Sequence, residues 1–108
     1  MWETLFDPSM LDSGKEIAIW CPREVDAGAL MVELRKAGCK WNGGDPLDPY
    51  RTRWGCYMDE MVYYVNRTRV AMGDRAYAVK CGDKYTMCVF DPGHNVLCEV
   101  APEVGDLI

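Results

Sequence analysis

A chain of 108 residues is the size of one domain, and 49% hydrophobic with 27% charged residues is the composition of a globular chain, not a disordered one. It contains no apolar run long enough to span a membrane, and Met1-Trp2-Glu3-Thr4 shows neither the basic nor the apolar stretch of a signal peptide. The formal net charge of −5 argues against general nucleic-acid binding, and a cytoplasmic location is expected.

Residues 1–14 read as irregular, with Asp7-Pro8-Ser9 as a turn and Trp2, Leu5 and Phe6 available to dock on a core. Glu16-Ile17-Ala18-Ile19-Trp20-Cys21 is short, apolar and β-branched, which predicts a buried interior strand. Pro22 follows, suited to the first turn of a helix. Helical spacing of Ala27, Leu30, Met31, Leu34 and Ala37 then predicts an amphipathic helix from about Arg23 to Ala37. Glu24 and Asp26 at its start and Arg35 and Lys36 at its end suit the helix dipole, and Gly38 is a natural left-handed stop. Gly28 lowers helix propensity without overturning the assignment.

Cys39 to Pro49 holds Gly43, Gly44, Pro46 and Pro49 and reads as a loop, leading through Tyr50-Arg51-Thr52-Arg53-Trp54 into Gly55-Cys56-Tyr57-Met58, either a short strand or more loop. Met61-Val62-Tyr63-Tyr64-Val65 is a strand by composition. Asn66-Arg67 is a tight turn, and Thr68 to Met72 returns as a second strand that ends at Gly73-Asp74. Arg75 to Asp83 fits either a strand or a short helix. Tyr85 to Phe90 reads as a strand, Asp91 to Asn95 as a turn, Val96 to Val100 as an edge strand and 101–108 as an acidic tail. The pattern predicts a single α+β domain over 1–108: one main amphipathic helix packed on a mostly antiparallel sheet of about four to five strands.

The six cysteines, Cys21, Cys39, Cys56, Cys81, Cys88 and Cys98, contain no C-x-x-C pair and lie largely in apolar stretches, so buried free thiols are expected in place of disulfides. One histidine, His94, cannot complete a zinc site of ordinary composition, and no metal or cofactor is expected. His94 is also the one histidine that a Ser-His-Asp or Cys-His pair could use, and it falls in a turn with no visible partner. With no nucleophile elbow, zinc-protease motif or phosphate loop, no catalytic residues are assigned and an enzyme is not expected.

Charge is unevenly distributed. Residues 1–49 carry nine acids and five bases, residues 50–80 six bases and three acids, and residues 81–108 five acids and one base. A local anion site in the middle is therefore conceivable, although strand faces solvated by Arg would give the same pattern. The candidate binding residues are Trp41, Asn42, Gly43, Gly44, Tyr50, Arg51, Arg53 and Trp54. Glycines admit a close ligand, Arg offers a planar fork to phosphate or carboxylate, and aromatic rings stack on bases. The same side chains make a protein-binding hot spot. Trp41 and Trp54 are equally at home as core residues beneath a folded-back loop.

Ile17-Ala18-Ile19-Trp20-Cys21-Pro22, the helix end Leu34-Arg35-Lys36-Ala37-Gly38 and the turn Gly38…Trp41…Gly44 resemble a group of small bacteriophage and prophage proteins with a strand–helix–GxxWxxG–strands pattern. Val70 to Gly73, Tyr77 and Tyr85 to Asp91 resemble the later strands of that group, so the resemblance covers about 16–91. It departs at Cys39, where the group often has an aromatic. The resemblance implies no catalytic residues. It implies an accessory protein that inhibits a host antiviral defence system, anti-CRISPR-like or similar, by contact with a host defence protein in the host cytoplasm. The alternatives are a sponge for a nucleotide-like small molecule and an accessory domain with no anti-defence role. A homo-oligomer remains open.

Overall fold

The computed structural model describes residues 2–93. Strand β1 (Ile17–Trp20) leads to helix α1 (Glu24–Lys36), the short strand β2 (Lys40–Trp41), the hairpin strands β3 (Met61–Asn66) and β4 (Arg69–Asp74), helix α2 (Arg75–Lys80) and strand β5 (Thr86–Val89). The architecture is the α+β arrangement expected, with five strands in the order β2-β4-β3-β1-β5. β3 pairs antiparallel with both β1 and β4, while the edge strands β5 and β2 run parallel to β1 and β4. The antiparallel character is thus confined to the centre, and the sheet is mixed.

β1 is interior, as its two-sided apolar composition requires, with Ile17, Ala18 and Ile19 at 1% exposure or less. α1 closely follows the sequence reading. Arg23 is its extended N-cap and Ala37 its C-cap, so Pro22 precedes the helix and does not lie in its first turn. At the far end Cys39 N–H donates to Leu34 O (3.0 Å) and Gly38 N–H to Arg35 O (3.0 Å), with Gly38 at φ 87. This is the Schellman closure that a left-handed glycine permits, and Leu34 and Cys39 are both buried beside it. The helix is less cleanly amphipathic than its spacing suggests. Ala27, Leu30, Met31 and Leu34 are buried against the sheet, but Val25 is 74% exposed on the outer side.

Other boundaries shift for local reasons. Asp7 caps a 3-10 helix over Pro8–Ser13 by accepting from Ser9 N–H (2.9 Å), so the amino-terminal segment is more regular than expected. Leu5 bridges Val89, which brings that segment alongside β5. The hairpin turn is Arg67-Thr68, one residue later than expected, with Arg67 at φ 59. The ambiguous stretch after Asp74 is helical because the Asp74 side chain accepts from Tyr77 N–H (2.9 Å). The residues assigned to a loop after Gly38 contain β2, held by Lys40 N–H to Thr68 O (2.9 Å) and Asn42 N–H to Val70 O (2.8 Å). The expected strand from Val96 to Val100, the acidic tail and His94 lie outside the described residues.

Alternation along the strands splits the sheet into two faces. Ile17, Ile19, Tyr63, Val65, Val70 and Cys88 meet α1 in the main core. Burial of each Leu, Ile or Met side chain there contributes about 1.5–3 kcal/mol relative to exposure. Ala18, Val62 and Tyr64 face the other way, where Ala78 of α2 covers part of the surface. Among the described residues no helix is long and apolar enough to cross a membrane.

Cys21, Cys39 and Cys88 are buried free thiols, Cys81 is half-buried and Cys56 is exposed. Burial pushes the Cys21 and Cys88 thiols up to about 12 and raises Cys39 as well. Alkylation with iodoacetamide under native conditions should therefore label Cys56 well before Cys21, Cys39 or Cys88, which should react only on unfolding. Equal labelling rates by mass spectrometry would contradict this core.

Candidate functional site

The loop singled out from the sequence does not present its rings together. Trp41 is 5% exposed and packs in the core, its ring 6.2 Å from that of Tyr63. The Arg53 guanidinium lies 4.5 Å from the centre of the same indole. Trp54 is half-buried, and its Nε1–H donates to Cys21 O (2.9 Å). Tyr63 O–H donates to Thr52 O (2.7 Å), which ties the loop to β3. Leu47 is buried, and Pro49 O lies 3.0 Å from where a Cβ would stand on Gly28, so a glycine in mid-helix lets the loop lie against α1. Asn42, Gly43 and Gly44 sit exposed in the turn after β2, Arg51 is exposed, and Tyr50 is 94% exposed. Trp41 is thus core, and Arg53 and Trp54 serve to hold the loop down. The rings of Trp41 and Trp54 are thereby used internally, leaving Asn42, Gly43, Gly44, Tyr50 and Arg51 of the predicted set at the surface, with Arg53 exposed across the Trp41 indole.

The open part of the sheet lies on the opposite face. Its centre is Tyr64, whose ring meets Tyr85 at 4.8 Å and Tyr77 at 5.5 Å between centroids. Tyr64 O–H donates to Asp74 O, fixing the ring across β4. Gly73 lies beneath it, and a Cβ there would stand 2.9 Å from Tyr64 Cε2. The small side of β4, Ala71 and Gly73, therefore makes room for the tyrosine on β3, as the register Tyr64↔Ala71 and Val62↔Gly73 dictates. Burial, with Asp74 and Tyr85 adding to it, raises the Tyr64 phenol above the usual tyrosine range, so it stays neutral.

Two adjoining hollows open on this face. A groove of about 440 Å³ runs along Ala71, Met72, Gly73 and Asp74 between Tyr57, Tyr64, Tyr77 and Tyr85. A cleft of about 590 Å³ shares Tyr64, Ala71 and Tyr85 with it and extends to Arg67, Arg69, Lys84, Glu16 and Asn42. Tyr77 is 48% exposed and Tyr57 39%. At the other end of the face, Trp2 packs on Trp20 at 6.1 Å, and Arg75 lies 4.0 Å over the Trp20 ring while donating through Nε to Glu60 (3.0 Å). That end is closed, and the groove begins where α2 stops covering the sheet.

β4 also has an uncovered edge. β2 pairs only with Arg69 and Val70, whereas β3 pairs along all of Arg69–Asp74 on the other side. The carbonyls of Thr68 and Val70 point toward β2, so strand alternation turns the N–H and C=O of Met72 the same way. No strand lies beside Met72 on that side among the described residues.

Asp26 is the other polar feature of note. Its Oδ2 is buried without a hydrogen-bond partner among the described residues, and burial, with Asp91 adding to it, raises its carboxyl above the usual range. Among the described residues no three His, Cys, Asp or Glu side chains form a metal-holding group. Comparison with known proteins returns no matching family model, curated protein or solved structure.

The tyrosine face was missed because its members are scattered between positions 57 and 85. The available signal was the tandem Tyr63-Tyr64, which must send one ring to each side of a strand, followed by small residues at 71 and 73. Gly73→Ala should cost about 1–3 kcal/mol by overpacking Tyr64, read by chemical denaturation. A change within about 0.5 kcal/mol would mean that the ring does not lie there.

Proposed function

We propose that this chain is a non-enzymatic binding domain that acts by contact with a partner protein, and that the contact surface is the tyrosine-walled groove along β4. The observation that carries the reading is the half-covered edge of β4 opening onto that groove. An extended segment of a partner would pair with the outward backbone groups of Met72. It would also lay side chains against Tyr57 and Tyr77, as in recognition by strand addition. Tyrosines supply large contact areas at low entropic cost, which is why they dominate interface hot spots.

The resemblance of 16–91 to small bacteriophage and prophage accessory proteins supports the wider setting. In that setting the partner is a host defence protein, inhibited by contact in the host cytoplasm. That part of the reading rests on the resemblance, and the groove is argued independently of it.

Peptides selected from a displayed random library on the immobilised protein, mapped by ¹H–¹⁵N NMR, test the surface. They should perturb the amides of residues 71–74 and 77, and Tyr77→Asp should weaken them by at least about tenfold. Binders that map to residues 42–53, or no enrichment over an unrelated domain, would contradict it.

A further inference from the structure

The cleft beside the groove has a chemistry of its own. Arg67, Arg69 and Lys84 line it against a single carboxylate, Glu16. Glu16 accepts from Asn66 Nδ2 (2.7 Å) and attracts Lys84, so its charge offsets one of the three cations and leaves the rim positive. All three cations are exposed, in a chain whose net charge is −5. The hairpin supplies two of them: Arg69 opens β4, and Arg67 occupies a left-handed turn position (φ 59) more often given to glycine or asparagine. Arg69 uses one nitrogen on Trp41 O at a long 3.5 Å. Lys84 rests 5.3 Å over the Tyr85 ring, a weak contact that a flexible side chain readily exchanges.

Three cations at one rim match an anion of more than one charge, and the half-buried Tyr85 beside them offers an aromatic surface to a planar group. A hollow of about 590 Å³ lies within the ordinary range of small-molecule sites. We infer that this cleft binds a nucleoside phosphate, with the phosphate held by Arg67, Arg69 and Lys84 and the base stacked on Tyr85. The site shares Tyr85 with the groove, but its three cations, Arg67, Arg69 and Lys84, lie outside the groove's lining.

The test is a ¹H–¹⁵N NMR titration with AMP, adenosine, inorganic phosphate and hexathymidylate. AMP should give saturable shifts at 67–69 and 84–85, with adenosine and phosphate each at least about tenfold weaker. The double variant Arg67→Ala/Arg69→Ala should lose AMP binding by about tenfold or more at an unchanged unfolding midpoint, and Lys84→Ala should reproduce the loss on its own. Tyr57→Ala, at a wall of the peptide groove that the cleft does not share, should weaken the selected peptides and leave AMP affinity unaltered, so the two sites can fail separately. Tighter binding of hexathymidylate than of AMP, at the same residues, would keep the chemistry and assign it to single-stranded nucleic acid. Absence of saturable shifts with both AMP and hexathymidylate, or phosphate binding as tightly as AMP, would overturn the site.

Discussion

One thirteen-residue helix cannot cover both faces of a five-stranded sheet, and the rest of the molecule follows from that constraint. α1 takes the face presented by Ile17, Ile19, Tyr63 and Val65 and completes a dry core there. The reverse face is left to α2, six residues long, and to Trp2. Such a cover reaches part of the sheet only. Where it ends, Tyr64, Tyr77 and Tyr85 pack on one another, and Tyr77 and Tyr85 stand partly in water above the buried Tyr64, since no further element lies over them among the described residues. A large aromatic surface left open in this way is the usual raw material of recognition.

The long connection between α1 and β3 has the opposite fate. It is rich in the residue types that bind ligands, but every strong donor or ring with a close partner uses it internally. Trp54 bonds to the backbone at Cys21, Thr52 receives the Tyr63 hydroxyl, and Arg53 covers Trp41. The loop seals the edge of the main core beside α1. Residue types alone do not say whether such a side chain meets a ligand or the core, because that depends on contacts between residues far apart in the chain.

The parts legible in the sequence are those governed by near neighbours. α1 could be read from its spacing and from Gly38, since the Schellman closure involves only 34–39. β1 could be read because a strand buried on both sides must be apolar throughout. β2 could not, since two residues carry no period and Lys40–Trp41 is a strand only because Thr68 and Val70 lie beside it. The short helix after Asp74 balanced between two readings until its capping bond decided it. The tyrosine face depends on the register that sets Ala71 against Tyr64, a pairing fixed jointly by the hairpin turn and the core pattern.

The sheet face opposite α1 is open at Ala71 and Tyr77, while the loop over Trp41 is closed. Solvent paramagnetic relaxation from a neutral gadolinium chelate measures this directly. The Tyr77 ring and the Ala71 methyl should be strongly attenuated, with the Trp41 indole and the Tyr63 ring protected. An attenuated Trp41 indole together with a protected Tyr77 ring and Ala71 methyl would contradict it.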